Sequence, residues 1–165
     1  MNLNESDPRL SEDFKQAMRR VASTVNVISI CVDGKPMGIT ATAVSAVSMD
    51  PPSLLVCVNQ VASVHPWIED ALHFNVNVLH RDQAEVATIF ADRKLEAQRF
   101  IRGWENDCVT PPKLRNAQAV IRCRRIDHHR FGTHSIFIGV VEEVAMREEI
   151  DPLIWLNGSF GGCGG

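Results

Sequence analysis

The chain has 165 residues, of which 45% are hydrophobic and 22% charged, the balance of a globular protein large enough for its own core. A formal charge of −3 leaves no basic surface for nucleic acid or anionic lipid, and no apolar run reaches the roughly 20 residues that span a bilayer. Met1–Leu10 is polar and acidic and lacks the apolar core of a signal peptide.

Ser11 is placed to cap a first helix, with Phe14, Ala17, Met18 and Val21 at helical spacing on one face. Thr24–Val32 is rich in β-branched residues and runs into Asp33-Gly34, a hairpin signal, and a returning strand from Met37. Asp50-Pro51-Pro52 ends that strand, because consecutive prolines cannot donate to a ladder. Ser53–Val58 is a short apolar strand, and Ser63 is set to cap a short helix through Ala71. Phe74, Val76 and Val78 then alternate with Asn75 and Asn77. Asp82–Phe90 and Lys94–Phe100 read as helices, and Asn106–Asn116, with Pro111-Pro112, as a loop. Ala119–Ile126 and His134–Met146 are the last long strands, joined across Asp127–Thr133. Leu153–Leu156 is a short apolar piece before a glycine-rich tail, Asn157–Gly165. One domain over residues 1–165 is expected, with a core from 14 to 160 and mobile ends.

Hairpin-linked strands interrupted by short helices do not make a βαβ sheet; they predict an antiparallel barrel or sandwich, mainly β with short helices. No Gly-x-Gly-x-x-Gly follows a strand and no Walker loop is present. Five scattered cysteines without a Cys-x-x-Cys pair argue against a disulfide framework or zinc site and fit reduced thiols in a cytoplasmic protein. Asp127-His128-His129 lacks the further aspartates of a phosphoesterase metal centre, so no metal is expected there. The most informative stretch is Gly38–Pro52, where Thr40, Thr42, Ser45 and Ser48 mix with Ala41, Ala43, Ala46 and Val47, and no charge lies between Lys35 and Asp50. Two readings fit: small residues that let a planar heteroaromatic ring approach the backbone, or a tightly packed strand crossing.

These residues carry a family resemblance. Gly38–Pro52 resembles the signature of the short-chain flavin reductases, whose fold is the FMN-binding split barrel, an antiparallel Greek-key split β-barrel. Phe74-Asn75-Val76-Asn77-Val78-Leu79 is similar to that family's next strand, and Gln83 to Phe90, Arg99-Phe100 and Trp104 to its helices. Gly132-Thr133-His134 with Ile136–Val141, and Pro152–Trp155 with Gly158, resemble its closing motifs. The motifs occur in order from Phe14 to Phe160.

The resemblance implies that Thr40, Ala41, Thr42, Ala43 and Val44, with the turn at Ala46 and Val47, line a flavin ring, largely through backbone groups. Val61, Ala62 and Ser63 would receive the ribityl chain and phosphate, a role a helix N-terminus suits, although Ser63 also reads as a plain cap. Trp67 is a flavin neighbour or a core residue, and Arg93 and Lys94 are phosphate contacts or solvated charges. His134 would lie beside the nicotinamide, with Trp155, Asn157 and Gly158; alternatively it is a hydrogen-bonded histidine at a strand end. Thr133 stands where the family usually has aspartate, which leaves the imidazole without an adjacent carboxylate, and Trp155 stands where tyrosine is usual. The activity implied is hydride transfer from NADH or NADPH to FMN or FAD in a homodimer, with reduced flavin diffusing to a flavin-dependent monooxygenase. Alternatives are a split-barrel flavoprotein reducing a corrinoid, ferric iron or a quinone, and a non-catalytic flavin- or haem-binding module.

Overall fold

The computed structural model describes residues 7–162, so mobility of residues 1–6 and 163–165, expected from the sequence, lies outside the described residues. Helix α1 (Pro8–Met18) begins a turn earlier than Ser11 suggests. Its cap is Asp7, whose carboxylate accepts the Arg9 N–H at 2.9 Å, and Pro8 occupies the first turn, where its missing N–H costs nothing. None of its side chains is buried, so Leu10, Phe14 and Met18 form an uncovered apolar stripe.

Strands β1 (Ser23–Thr24), β2 (Asn26–Val32), β3 (Lys35–Ala41), β4 (Val44–Met49) and β5 (Pro52–Asn59) lead to helix α2 (His65–Asp70) and strand β6 (His73–Val78). A 3₁₀ turn at Arg81–Gln83 runs into helix α3 (Ala84–Ala91), followed by a second 3₁₀ segment, Arg93–Gln98. The short strands β7 (Trp104–Glu105) and β8 (Lys113–Leu114) precede the long pair β9 (Ala119–Phe131) and β10 (His134–Met146). Strands β11 (Ile154–Leu156) and β12 (Ser159–Gly161) form a closing hairpin, so the tail predicted from Asn157 is ordered through Gly161.

Seven strands pair antiparallel in the order β3-β2-β6-β9-β10-β5-β4. The end strands of that order, β3 and β4, are separated in the chain only by Thr42 and Ala43, and the Cys57 N–H reaches the Ala43 carbonyl at 2.9 Å. The sheet therefore rolls onto itself, giving the antiparallel barrel that the sequence predicts. The single strand expected from Met37 to Asp50 is two strands, because this stretch has to serve both edges. The loop expected at Asp127–Thr133 is mostly strand: pairing continues from Ile138↔Asp127 to His134↔Phe131.

Inside the barrel pack Ile28, Ile30, Val56, Val58, Phe74, Val76 and Phe137, with Val64 and Ile68 of the α2 region closing one end. A second core lies under α3, around Val25, Val27, Leu79, Phe90 and Leu153. Asn75 and Asn77 point outward from β6 yet are buried, beneath the loop before β8. Asn77 donates to the Val27 carbonyl and the Ser29 hydroxyl and accepts the Leu114 N–H at 2.8 Å, while Asn75 donates to the Pro111 carbonyl at 2.7 Å. The prolines thus leave the loop's carbonyls to be bonded from below. Among the described residues no helix is long and apolar enough to cross a membrane.

Gly139 marks where strand and core approach most closely. A Cβ there would stand 2.7 Å from both Cys123 Cβ and Phe74 Cζ. Gly139→Ala is expected to lower the unfolding free energy by about 1–3 kcal/mol through overpacking, read from urea denaturation. An unchanged midpoint would contradict this account of the β9–β10 contact.

Candidate active site

Part of the predicted site, the Thr42–Ala43 crossover and His134, gathers around the end of β5. On one flank Ala43 bonds Cys57; on the other His134 pairs with Asn59. Adjacent strands are about 4.8 Å apart and the two pairings are two residues apart along β5, so the crossover and His134 lie about 12 Å from each other. Thr42, Ala43, Ser45, Ala46 and Val47 are exposed, and among the described residues β4 pairs only with β5. Its outer edge thus offers free backbone N–H and C=O groups under small side chains, which fits a flat ring with polar atoms along its rim. The two readings of Gly38–Pro52 prove compatible, since the crossing and the open edge adjoin. Thr40 is turned away: its hydroxyl donates to the Ala87 carbonyl of α3 at 2.7 Å. Ala41 is half-buried and accepts the Asn26 amide, leaving Val44, half-buried at the start of β4, as the next residue along the edge.

Beyond β5 the loop is ordered by Asn59, whose side chain accepts the Val61 N–H at 3.1 Å. Val61 is 80% exposed, while Ala62 and Ser63 are half-buried. Ser63 is not the cap of α2: the cap position is Val64, with no side-chain bond, and Pro66 lies in the first turn. Ser63 instead lines a cleft of about 250 Å³ with Met37, Gly38, Trp67, Arg99 and Phe100. Trp67, 41% exposed, belongs to that cleft and not to the core. Arg93 and Lys94 are exposed outside it, where the Lys94 N–H is bonded by Asp92. Arg99, absent from the predicted set, reaches the cleft. Its guanidinium donates to the carbonyls of Gly38, Ile89, Phe90 and Asp92 at 3.2–3.3 Å, and burial pulls its pKa down. One of its five N–H groups has no protein acceptor, and Glu96 lines the same cleft. Its position after the second 3₁₀ segment was readable; its aim was not.

His134 follows the Gly132-Thr133 turn, where Gly132 takes a φ of 56°. The Thr133 hydroxyl lies 2.9 Å from His134 Nδ1, and the exposed ring's Nε2 has no hydrogen-bond partner among the described residues. Gln60 clamps the turn: its N–H bonds the Thr133 carbonyl at 2.9 Å and its amide the His134 carbonyl at 3.0 Å. Trp155, Asn157 and Gly158 are not brought to this place. Trp155 pairs with Ser23, just before β2, whose Asn26 lies across Val78, itself across Ala119. Ala119 and Phe131 are opposite ends of the 13-residue β9, and Phe131 is the residue facing His134. In one chain the two predicted halves of the nicotinamide site therefore lie at opposite ends of the barrel. Arg19 holds the Asn157-Gly158 turn, donating to the Asn157 side chain at 3.2 Å and its carbonyl at 3.1 Å.

Helix α2 is tied to the tip of the β9–β10 hairpin. His65 Nε2 lies 2.7 Å from the Ser135 hydroxyl, and Glu69 accepts two bonds from Arg130 Nη2 at 2.7 and 3.0 Å. His65 and Ser135 have the contact of a base and a nucleophile, but both are buried, and Glu69 faces the same Nε2 at 3.9 Å, so no relay exists. His128 stacks on Phe137 and His129 pairs with Asp127 at 3.0 Å. Among the described residues no cluster of His, Cys, Asp and Glu is arranged to hold a metal ion.

The flavin reductase like domain profile matches residues 18–164. The chain belongs to the flavin reductase like family. It is 37% identical over 162 residues to the reductase component of an FADH(2)-dependent resorcinol hydroxylase from Rhizobium sp. (strain MTP-10005), covering 96% of this chain and 90% of that protein. It is 34% identical to the FMN reductase (NADH) RutF of Stutzerimonas stutzeri (strain A1501), covering 95% and 91% of the two chains. Among solved structures, BorF, the flavin reductase component of a bacterial two-component tryptophan halogenase, superposes with a TM-score of 0.83 at 31% identity, over 92% of this chain and 97% of that one. The NADH:FAD oxidoreductase SgcE6 of Streptomyces globisporus C-1027, in complex with NAD and FAD fragments, gives 0.85 at 25% identity, over 96% and 95%. The barrel of this flavin reductase is thus the split barrel of its structural neighbours.

Hydrogen bonding from Arg130 holds the Glu69 carboxyl below the usual glutamate range. A depressed pKa stabilises the folded state above the unfolded value, roughly 4.3, and that stabilisation is lost as pH falls through the folded value. The Tm difference between the native protein and Glu69→Gln is therefore expected to be largest near neutral pH and to shrink as pH falls below the unfolded value, by thermal melts across that range. A constant difference would remove the ion pair from the account.

Proposed function

We propose that this flavin reductase is an NAD(P)H:flavin oxidoreductase that moves hydride from reduced nicotinamide to FMN or FAD and supplies reduced flavin to a partner monooxygenase. The observation that carries this reading is the open β4 edge and Thr42–Ala43 crossover facing an oriented His134 across β5. The nicotinamide supplies the hydride and the flavin accepts it, so the electronic work belongs to the cofactors. The chain's part is to hold two flat rings in register and keep water from between them. In this reading the backbone of Ala41–Ala43, Ala46 and Val47 receives the flavin rim. Ser63, Trp67 and the free N–H of Arg99 take its ribityl and phosphate side; Arg93 and Lys94 add positive charge from outside the cleft. His134 Nε2 orients the nicotinamide carboxamide. A non-catalytic module has no use for an imidazole oriented by Thr133 on a turn that Gln60 clamps.

The same reading makes the protein a homodimer in the cytoplasm, acting as one domain. The uncovered α1 stripe, with Leu10 and Phe14 each 65% exposed, asks for a covering surface. A second copy also offers a way for Trp155, Asn157 and Gly158 to meet His134, which one chain does not allow. Cys31, Cys57, Cys108 and Cys123 are free thiols, in keeping with a reducing compartment.

Purified protein given NADH or NADPH with FMN or FAD is expected to lose absorbance at 340 nm; no oxidation with any pairing would end the enzyme reading. His134→Ala is expected to raise KM for the nicotinamide nucleotide about tenfold, the loss of one hydrogen bond, and to leave the flavin Kd within about twofold. Equal loss of both, by kinetics and fluorescence titration, would contradict the role of His134.

A further inference from the structure

We propose that the buried hydrogen bond between His65 and Ser135 sets the spacing between the flavin-side loop, Gln60–Ser63 with Trp67, and the nicotinamide-side His134, making both of them positioning residues for hydride transfer. This rests on the reading of His134 as the nicotinamide contact.

The two sides of the site hang from different elements. Trp67 and the loop before it belong to α2, six residues long with no side-chain cap. So short a helix has no stability of its own, and its orientation is decided by what it is tied to. His134 belongs to β10, at the open tip of a two-residue turn. The His65–Ser135 bond joins these elements one residue away from His134. It is enclosed: His65 is 4% exposed and Ser135 0%, and the imidazole lies edge-on to Phe137 with ring centroids 5.8 Å apart. Ser135 is itself fixed from both sides, across from Val58 on β5 and Arg130 on β9. A hydrogen bond in such a place has no water to replace it and few positions open to its partners.

Loss of the Ser135 hydroxyl leaves His65 Nε2 with Glu69, 3.9 Å away, as the nearest acceptor. Glu69 lies on α2 as well, so a bond made there no longer ties the helix to β10. Arg130 still holds the far end of α2, and Gln60 still holds the turn. The expected result is a small tilt at the end nearest the flavin-side loop, not a loss of fold. A misplacement of about 1 Å between reacting groups costs about a hundredfold in rate, so a tilt of a few tenths of an ångström is enough to be seen.

The test compares Ser135→Ala, His65→Phe, which keeps the ring's packing without the bond, and His65→Gln, whose amide restores a partner for Ser135. Stopped-flow measurement of hydride transfer at saturating FMN and NADH is expected to slow about tenfold in Ser135→Ala and His65→Phe. His65→Gln is expected to recover to within about threefold. KM for NADH and the fluorescence-derived Kd for FMN should move less than threefold. Hydrogen exchange of the flavin-free protein should rise over residues 60–71 in the first two variants and not in His65→Gln. A normal transfer rate and normal exchange in Ser135→Ala overturn the proposal. So does a lowered Tm with weaker flavin binding but an unchanged transfer rate, which marks a merely structural bond. An unaltered KM for NADH in His134→Ala brings down the reading of the site itself; a raised one beside a normal rate in Ser135→Ala brings down this inference alone.

Discussion

The structure depends on one two-residue step. Thr42 and Ala43 carry the chain from one edge of a seven-stranded sheet to the other, and the Ala43 carbonyl fastens the step to Cys57. Open antiparallel sheets leave two exposed edges, and a barrel removes them by joining first strand to last. Here a connection of two residues does the joining, so β3 and β4 have to diverge immediately after it. That divergence leaves β4 paired on one side only. The same constraint closes the core and leaves a stretch of backbone available for recognition. Large side chains at these positions would fill the gap; alanine and threonine keep it open.

A second requirement is orientation at the other flank. Strand β10 has its first residue beside the end of β5, which fixes the place of His134 but not the direction of its ring. Direction comes from neighbours that are polar and uncharged: the Thr133 hydroxyl on Nδ1, and Gln60 on the backbone of the turn. A hydroxyl holds the ring more weakly than a carboxylate would, and it adds no negative charge. This site therefore orients its imidazole by hydrogen bonding to a neutral hydroxyl.

The strand pattern and the barrel were legible because period-2 alternation, Asp33-Gly34 and Pro51-Pro52 are local signals. What escaped was every feature decided by distant partners. The break at Thr42–Ala43 has no local mark, since small residues suit a straight strand equally well. The pairing of Asp127–Phe131 was hidden by its charges, which Glu69 and the sheet satisfy only after folding. Ser63 has the chemistry of a helix cap, but Pro66 fits the first turn of a helix beginning at His65, and tertiary contact with β10 decides where α2 starts. Arg99 reads as part of a helix motif and not as a site residue, because the carbonyls it gathers come from two other elements, β3 and the end of α3.

The separation of His134 from Trp155, Asn157 and Gly158 has the widest consequence. Motifs contiguous in a family signature are easily taken as contiguous in space within one chain. Here the hydrogen-bond register forbids it, since the two groups are set apart by the length of β9. Either the C-terminal hairpin serves only to brace Arg19 and the end of α1, or its exposed Trp155 and Phe160 act on a site built by another copy. The first alternative leaves an edge-packed aromatic pair, with ring centroids 4.9 Å apart, standing half in water beside an uncovered apolar helix. Apolar surface of that kind is costly in an isolated molecule and ordinary in an interface. Arg19 locks the hairpin to the end of α1, so these two exposed apolar features are held side by side.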